Sequence, residues 1–383
     1  MNTTTGDGTT TNTYGYDDAG NRTDVDDING SVSYGAAGDN NELTDDGVYE
    51  YEYDPEGNIV LRTNLSDDSY TEYSWDNRNR LTKVTDKDSS NQTLQVVEYQ
   101  YDAFDRRSLR IVTPYSGGSP GTAVTTRFVY NGLSRHVMYD FIGSSPTAPS
   151  HRYLSALDQV FAQENVGQSG ADAVDWLLAD RLGSTRIILK NDGTLRQTID
   201  YDPYGNQTVL DDEGDPGTPA TIFLWAQLVY DASVDLHFSS TRVYTAPVGR
   251  WMSVDTIGFA GRDYNLGRYL GNNPTGGADP NGTFNPFLDA PLNPPLKLPD
   301  LADLPPDSAD LPSAPALPNG GIKRIYLNES LLDIYDAAVE RGDATRPWYV
   351  WPGLIIWNTL GPRSDPDVVI EHCDGTKDVI LGG

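Results

Sequence analysis

The chain has 383 residues, enough for two or three domains, and its 56 acidic side chains against 27 basic ones give a formal net charge of −29. A surface this acidic repels nucleic acid and anionic membranes, which argues against general DNA or RNA binding by the body of the chain. One cysteine, Cys373, excludes an intramolecular disulfide framework, and four histidines argue against a histidine-rich metal site. The 23 tyrosines outnumber the 9 phenylalanines. Tyrosine suits strands whose rings have a dry body and a wet tip. Met1 to Asp18 shows neither a basic n-region nor an apolar run, so no signal peptide is visible. The longest apolar stretches, such as Leu354 to Trp357, are too short to span a bilayer, and no membrane insertion is expected.

A short pattern recurs along the first half: aromatic, any residue, aromatic, Asp, two residues, then Gly-Asn or an Arg. Copies stand at Tyr14-Gly15-Tyr16-Asp17, Tyr51-Glu52-Tyr53-Asp54, Tyr73-Ser74-Trp75-Asp76 and Tyr99-Gln100-Tyr101-Asp102. Tyr34-Gly35 reads as a decayed copy and Phe128 to Gly132 as a degenerate one, and Tyr201-Asp202-Pro203-Tyr204-Gly205-Asn206 is a late one. Aromatics at i and i+2 share one face of a strand. The following Asp bonds the backbone two residues on, and Gly or Asn accepts positive φ, so each unit reads as a hairpin. A single hairpin cannot bury its own face, so neighbours must stack.

From Asp180 onward other motifs follow in order: Asp180-Arg181-Leu182-Gly183-Ser184-Thr185-Arg186, Tyr201 to Gly205, Gly249-Arg250-Trp251-Met252-Ser253-Val254-Asp255, Asn265 to Pro274, and Asp279-Pro280-Asn281-Gly282. Gly258 to Arg262 is glycine-rich but lacks the strand-then-helix setting of a nucleotide loop, so it reads as a turn. Asp24 to Gly30 fails the register of a calcium loop. Ten prolines between Pro286 and Pro318 mark an extended, semi-rigid linker. Beyond it a helix is expected near Asn328 to Arg341, with Asn328 as its cap, followed by short apolar runs including Val368 to Ile370 and Val379 to Leu381. His372 and Cys373 are adjacent, so on a strand they face opposite ways and cannot form a dyad with each other.

The Tyr-Asp-x-x-Gly-Asn-Arg units resemble YD repeats, and Asp180 to Gly282 resembles the repeat-associated core of RHS proteins; together the resemblance spans residues 14 to 283. It implies a mainly β fold of consecutive antiparallel hairpins forming a curled ribbon, with a small α+β or irregular tail. The expected parts are a YD-repeat ribbon at 1–170, the core segment at 171–283, the linker at 284–320 and a variable C-terminal unit at 321–383. In such proteins the ribbon spirals into a hollow shell, and the core plugs one end and cuts off an enclosed toxin. Carried over residue by residue, the resemblance places a self-cleaving aspartyl site at Arg242, Asp255 and Asp279, with the cut between Thr283 and Phe284. Asp255 is followed by Thr256 where the family usually has Pro, and Thr283 stands where it usually has Leu. No cofactor or metal is implied. The implied partners are an upstream repeat-bearing shell segment or secretion machinery, and an immunity protein for the C-terminal unit, in a secreted or cell-surface setting. About four clear repeats are too few to enclose a cargo, which suggests one piece of a larger assembly. The alternative is a non-cleaving structural or adhesive repeat protein, or a truncated remnant. The tail's target is not legible.

Overall fold

The computed structural model describes residues 11–283 apart from 28–29, 133, 145, 157–158 and 262, together with four outlying strands, Thr3–Thr4, Ile322–Leu327, Val368–His372 and Lys377–Ile380. The linker and the helix expected near Asn328 to Arg341 lie outside these residues. In the tail, Val368–His372 pairs with both Ile322–Leu327 and Lys377–Ile380 in an antiparallel sheet, so the apolar runs at 368–370 and 379–380 stand on strands. Elsewhere the fold is antiparallel β with short 3-10 turns, and the described residues contain no α-helix. A fifteen-stranded sheet runs from Tyr49–Tyr53 to Gln207–Asp211, and strands adjacent in sequence pair, except that the two-residue strand Ser119–Pro120 lies off the path and Arg107–Ser116 pairs directly with Val124–Tyr130. The sheet continues on both sides of residues 170 and 171, which lie in the short turn Gly170–Ala173, because Gln159–Asn165 pairs with Val174–Ala179. Thr3–Thr4, Thr11–Tyr16, Arg22–Asp27 and Gly30–Ser33 form a separate four-stranded sheet ahead of it. The four aromatic pairs expected on strands all lie on strands, at Thr11–Tyr16, Tyr49–Tyr53, Tyr70–Trp75 and Thr93–Tyr101.

The repeat works through its aspartate. Asp54 Oδ1 accepts the backbone N–H of Glu56 and of Asn58, while its Oδ2 takes Asn58 Nδ2 at 2.9 Å. In the next copies Asp76 and Asp102 hold their own turns in the same way, with Arg80 and Arg106 supplying guanidinium donors where Asn58 supplied an amide. This is why the repeat tolerates either Asn or Arg at that place: both present N–H groups to one carboxylate oxygen. The residue just before it is left-handed in every case, Gly57 at φ 81°, Asn79 at 54° and Asp105 at 63°.

Neighbouring repeats are stitched by the second aromatic. Trp75 Nε1 donates to the Ile59 carbonyl at 2.8 Å, Tyr101 OH to Leu81 at 2.7 Å, Tyr130 OH to Arg107 at 2.8 Å and Tyr201 OH to Thr185 at 3.0 Å. Each acceptor is the fifth residue after the preceding unit's aspartate, so the bond spans one repeat to the next. A phenylalanine has no such donor, which accounts for tyrosine at these positions and for the one tryptophan substitution. Tyr130 makes the same bond although Asn131 replaces the aspartate after it, so the degenerate copy keeps the repeat's architecture. Register slips beside the turns, between Gly15 and Tyr16, Glu52 and Tyr53, and Ser74 and Trp75. Bulges at these places increase twist and curl the ribbon.

The curl leaves an apolar inner face, and the segment that follows the ribbon fills it. Val229–Asp231, Leu236–Phe238, Val243–Thr245 and Arg250–Trp251 form a small antiparallel sheet. Leu236, Phe238, Val243 and Met252 pack with ribbon residues Tyr51, Ile59, Tyr73 and Val97. Phe223, Leu224, Trp225 and Tyr244 pack with Leu177, Ile188 and Ile199 from the other half of the ribbon. Backbone bonds cross the same interface, from Ile59 N to Met252 O at 2.9 Å and from Thr185 N to Leu224 O at 3.1 Å. The buried Asp231 carboxylate accepts Tyr99 OH at 3.0 Å and pairs with Arg110 at 2.7 Å. The two ends of the repeat array also meet, since the Tyr14 and Tyr204 rings lie 5.0 Å apart edge to face and Tyr16 OH bonds Tyr204 OH.

His237 sits inside this plug, its ring 4.9 Å from Tyr230 and 6.2 Å from both Trp225 and Tyr244. Neither ring nitrogen has a hydrogen-bond partner among the described residues, and burial pushes its pKa down to about 3. An unfolded histidine titrates near 6.5. The stability contributed by this neutral ring is therefore complete above pH 6.5 and is lost as pH falls from there toward 3, with a slope of about 1.4 kcal/mol per pH unit. Replacing His237 with Phe should flatten the decline in unfolding free energy between about pH 6.5 and 5. Denaturant titrations of both proteins across that window check this, and equal slopes would contradict it.

Candidate active site

Three turns of the plug bring the expected site residues together. Arg242 precedes the strand Val243–Thr245, Asp255 follows Arg250–Trp251, and Asp279 opens the turn to Gly282. Arg242 Nη2 lies 2.9 Å from Asp255 Oδ2 and 3.4 Å from Asp279 Oδ2, so one guanidinium nitrogen bridges both carboxylates. The side chains of Arg242 and Asp279 are almost fully buried, and that of Asp255 keeps 10% of its surface.

Each group has further partners that fix it. The Arg242 guanidinium lies 4.3 Å over the Trp251 ring, Nη1 donates to the Leu266 carbonyl, and Nε donates to the Gly282 carbonyl at 2.5 Å. Asp279 Oδ1 accepts the N–H groups of Gly282 at 2.9 Å and Thr283 at 3.0 Å. Its own N–H donates to Tyr269 OH. Asp255 Oδ1 accepts the Ile257 N–H at 3.0 Å. Thr241 Oγ1 also lies within bonding distance of the Asn281 and Gly282 carbonyls, at 2.8 and 3.0 Å. The polypeptide running into the expected cut is thus clasped on both sides as far as Thr283. Phe284 lies outside the described residues.

Burial raises the carboxyl groups of both Asp255 and Asp279 above the ordinary range, and Arg242 opposes the rise in each. Asp255 raises Asp279 further, as a nearby like charge must. Burial lowers the Arg242 guanidinium, and the two carboxylates oppose that. Such a pair can hold one proton between two acids while a guanidinium keeps the other ionised. This is the arrangement needed to polarise a peptide carbonyl and to accept a proton from water.

The sequence pointed to Arg242, Asp255 and Asp279, and the fold brings all three into contact. It gave no role to Thr241, Ser239, Tyr269 or Trp251. Only adjacency to Arg242 could have flagged Thr241, because its partners lie 40 and 41 residues away. The turn Gly258–Gly261 is a short 3-10 turn, as the motif suggested.

The ribbon of stitched Tyr-Asp hairpins closed by an inner plug defines an RHS/YD-repeat shell. Residues 1–263 match the family model described as Teneurin YD-shell, and the chain belongs to that family. It is 24% identical over 326 residues to double-stranded DNA deaminase toxin A of Burkholderia cenocepacia strain H111, covering 68% of this chain and 23% of that protein. It is 27% identical over 239 residues to the probable deoxyribonuclease RhsB of Dickeya dadantii strain 3937, covering 61% of this chain and 15% of that one. The chain therefore spans less than a quarter of the length of these relatives. A solved structure of the Photorhabdus luminescens Tc holotoxin pore shares the fold at a TM-score of 0.54 and 20% identity, over 72% of this chain and 13% of that one.

Gly282 is the tightest point of the clasp. Its φ is +74°, and a Cβ there would run into Ser239 Oγ and lie 2.8 Å from Thr241 Oγ1. Gly282→Ala should cost about 1–3 kcal/mol of unfolding free energy from the left-handed backbone and the clash together. Equilibrium denaturation measures this, and an unchanged midpoint would contradict the clasp.

Proposed function

We propose that this chain is the plug-bearing end of a toxin-delivery shell, and that it cuts itself between Thr283 and Phe284 to free the segment that follows. The observation that supports this most strongly is the single guanidinium of Arg242 bridging Asp255 and Asp279 beside the backbone of Gly282 and Thr283. The ionised acid takes a proton from a water molecule as that water adds to the Thr283 carbonyl carbon. The protonated acid hydrogen-bonds to the carbonyl oxygen and then supplies the proton that leaves with the Phe284 amine. The products are a carboxylate at Thr283 and a free amine at Phe284, and the site acts once. Arg242 places the peptide and keeps one acid ionised. On this reading residues 284–320 are the tether and 321–383 the released unit. The working partners are a further repeat-bearing shell segment or the secretion machinery, with an immunity protein for the released unit.

A second reading has its own observation. Arg242 Nε and Thr241 grip the Gly282 carbonyl, one residue before the one to be cut, and Asp279 Oδ1 is spent on two backbone N–H groups. The trio would then be a structural clasp in a non-cleaving scaffold or adhesive repeat protein. Intact-mass measurement on the purified full-length chain separates the two readings. Self-cleavage yields a piece ending at Thr283 and a piece beginning at Phe284, and either Asp255→Asn or Asp279→Asn abolishes it. The rate should be highest on the acidic side of neutrality. It should fall as pH rises through the burial-raised pKa values of the pair, because the shared proton is then lost. Spontaneous acid breakage would cut instead between Asp279 and Pro280. A chain that stays whole across this pH range would leave the clasp reading.

A further inference from the structure

The junction between the first hairpin and the plug holds three arginines, of which one has a close carboxylate partner. A cavity of about 20 Å³ lies there, with room for one group of water size or slightly more. Among the described residues three arginines line it, Arg22, Arg250 and Arg268, and no Asp or Glu does, in a chain with 56 acidic residues. Arg268 is already matched by Asp263 at 2.6 Å. Among the described residues Arg22 and Arg250 have no such close ion pair, although Glu42 is near enough for Arg250 to lower its pKa against the rise that burial causes. Arg22 donates to Tyr34 OH and the Pro247 carbonyl, and Arg250 donates to the Asn41 carbonyl, all neutral acceptors. The Nε atoms of both arginines are buried without a hydrogen-bond partner among the described residues. Asp202, the carboxylate whose charge Arg22 feels, is occupied by Tyr204 N, Asn206 N and Asn206 Nδ2.

The Arg22 guanidinium is also held in place, 4.7 Å over the Tyr14 ring and 4.2 Å over the Tyr204 ring. Backbone glycines let the cations sit close. Gly249, at φ +67°, abuts Arg22 Nη2, and Gly267 abuts Arg250 Nη2, where a Cβ would collide with either. A buried guanidinium N–H left without an acceptor is costly, and two such cations around one small space raise the cost together. A water there would serve the unpartnered Asn265 Oδ1 but would bring no charge.

We propose that this cavity binds one small monatomic anion, chloride under ordinary salt conditions, and that the ion locks the first hairpin onto the plug. The site lies apart from the Arg242 clasp and does not depend on self-cleavage. The cavity is too small for phosphate or sulfate together with their hydration.

Thermal unfolding of the full chain should be followed while chloride replaces gluconate at constant ionic strength. The midpoint should rise by about 3 °C or more between about 1 and 300 mM chloride, and bromide should act alike. Arg250→Gln should remove the dependence. Should that variant fail to fold, crystals of the unaltered protein soaked in bromide decide the matter through an anomalous peak between Arg22 and Arg250. A midpoint that ignores chloride, or an empty or water-filled cavity under bromide, overturns the proposal. A bromide peak without any effect on the midpoint marks an adventitious ion only and overturns it equally.

Discussion

A single Tyr-Asp hairpin has an apolar face that it cannot bury, and the rest of the architecture answers that constraint. Stacking neighbours side by side covers the strand edges but leaves one whole face of the ribbon open. Bulges beside the repeat turns curl that face inward, and the segment from Phe223 to Met252 fills the inside. Plug and ribbon therefore share their hydrophobic core, and neither has a complete one alone. The bonds from Ile59 to Met252 and from Thr185 to Leu224 show how closely they merge, since ribbon strands spend backbone donors on the plug.

The same constraint explains where the cations and acids of the interior stand. The plug needs sharp turns to reverse direction within a narrow space, and those turns expose carbonyls and N–H groups that water cannot reach. Arg242 satisfies the Leu266 and Gly282 carbonyls, and Asp279 satisfies two N–H groups of its own turn. Burying such groups side by side shifts both carboxyls upward, so the chemistry proposed for the site follows from the packing that builds it.

Much of the ribbon was legible in sequence because its signals are local. Alternating aromatics mark a strand face, and the Asp five residues before the next strand marks its turn. The stitch from Trp75 to Ile59, or from Tyr101 to Leu81, was not legible, because it links residues 16 and 20 apart through a register that only folding sets. Arg242, Asp255 and Asp279 were found through the family resemblance that the ordered motifs carry, while Thr241 stands outside every motif and Tyr269, inside the one from Asn265 to Pro274, was given no role. The Arg22 cavity was invisible in sequence. Its walls come from the first hairpin and, more than 200 residues further along the chain, from the strand around Arg250 and the loop around Arg268.

If ribbon and plug form one core, they must open together. Native-state hydrogen exchange reads this directly through the amides of Ile59, Thr185 and Met252, which bond across the interface or within the plug, and of Val84, which lies within the ribbon. The account predicts that all four exchange with the same free energy and the same denaturant dependence. Plug amides that exchange by an opening of much lower free energy, while Val84 stays protected, would contradict it and make the ribbon a unit that stands without its plug.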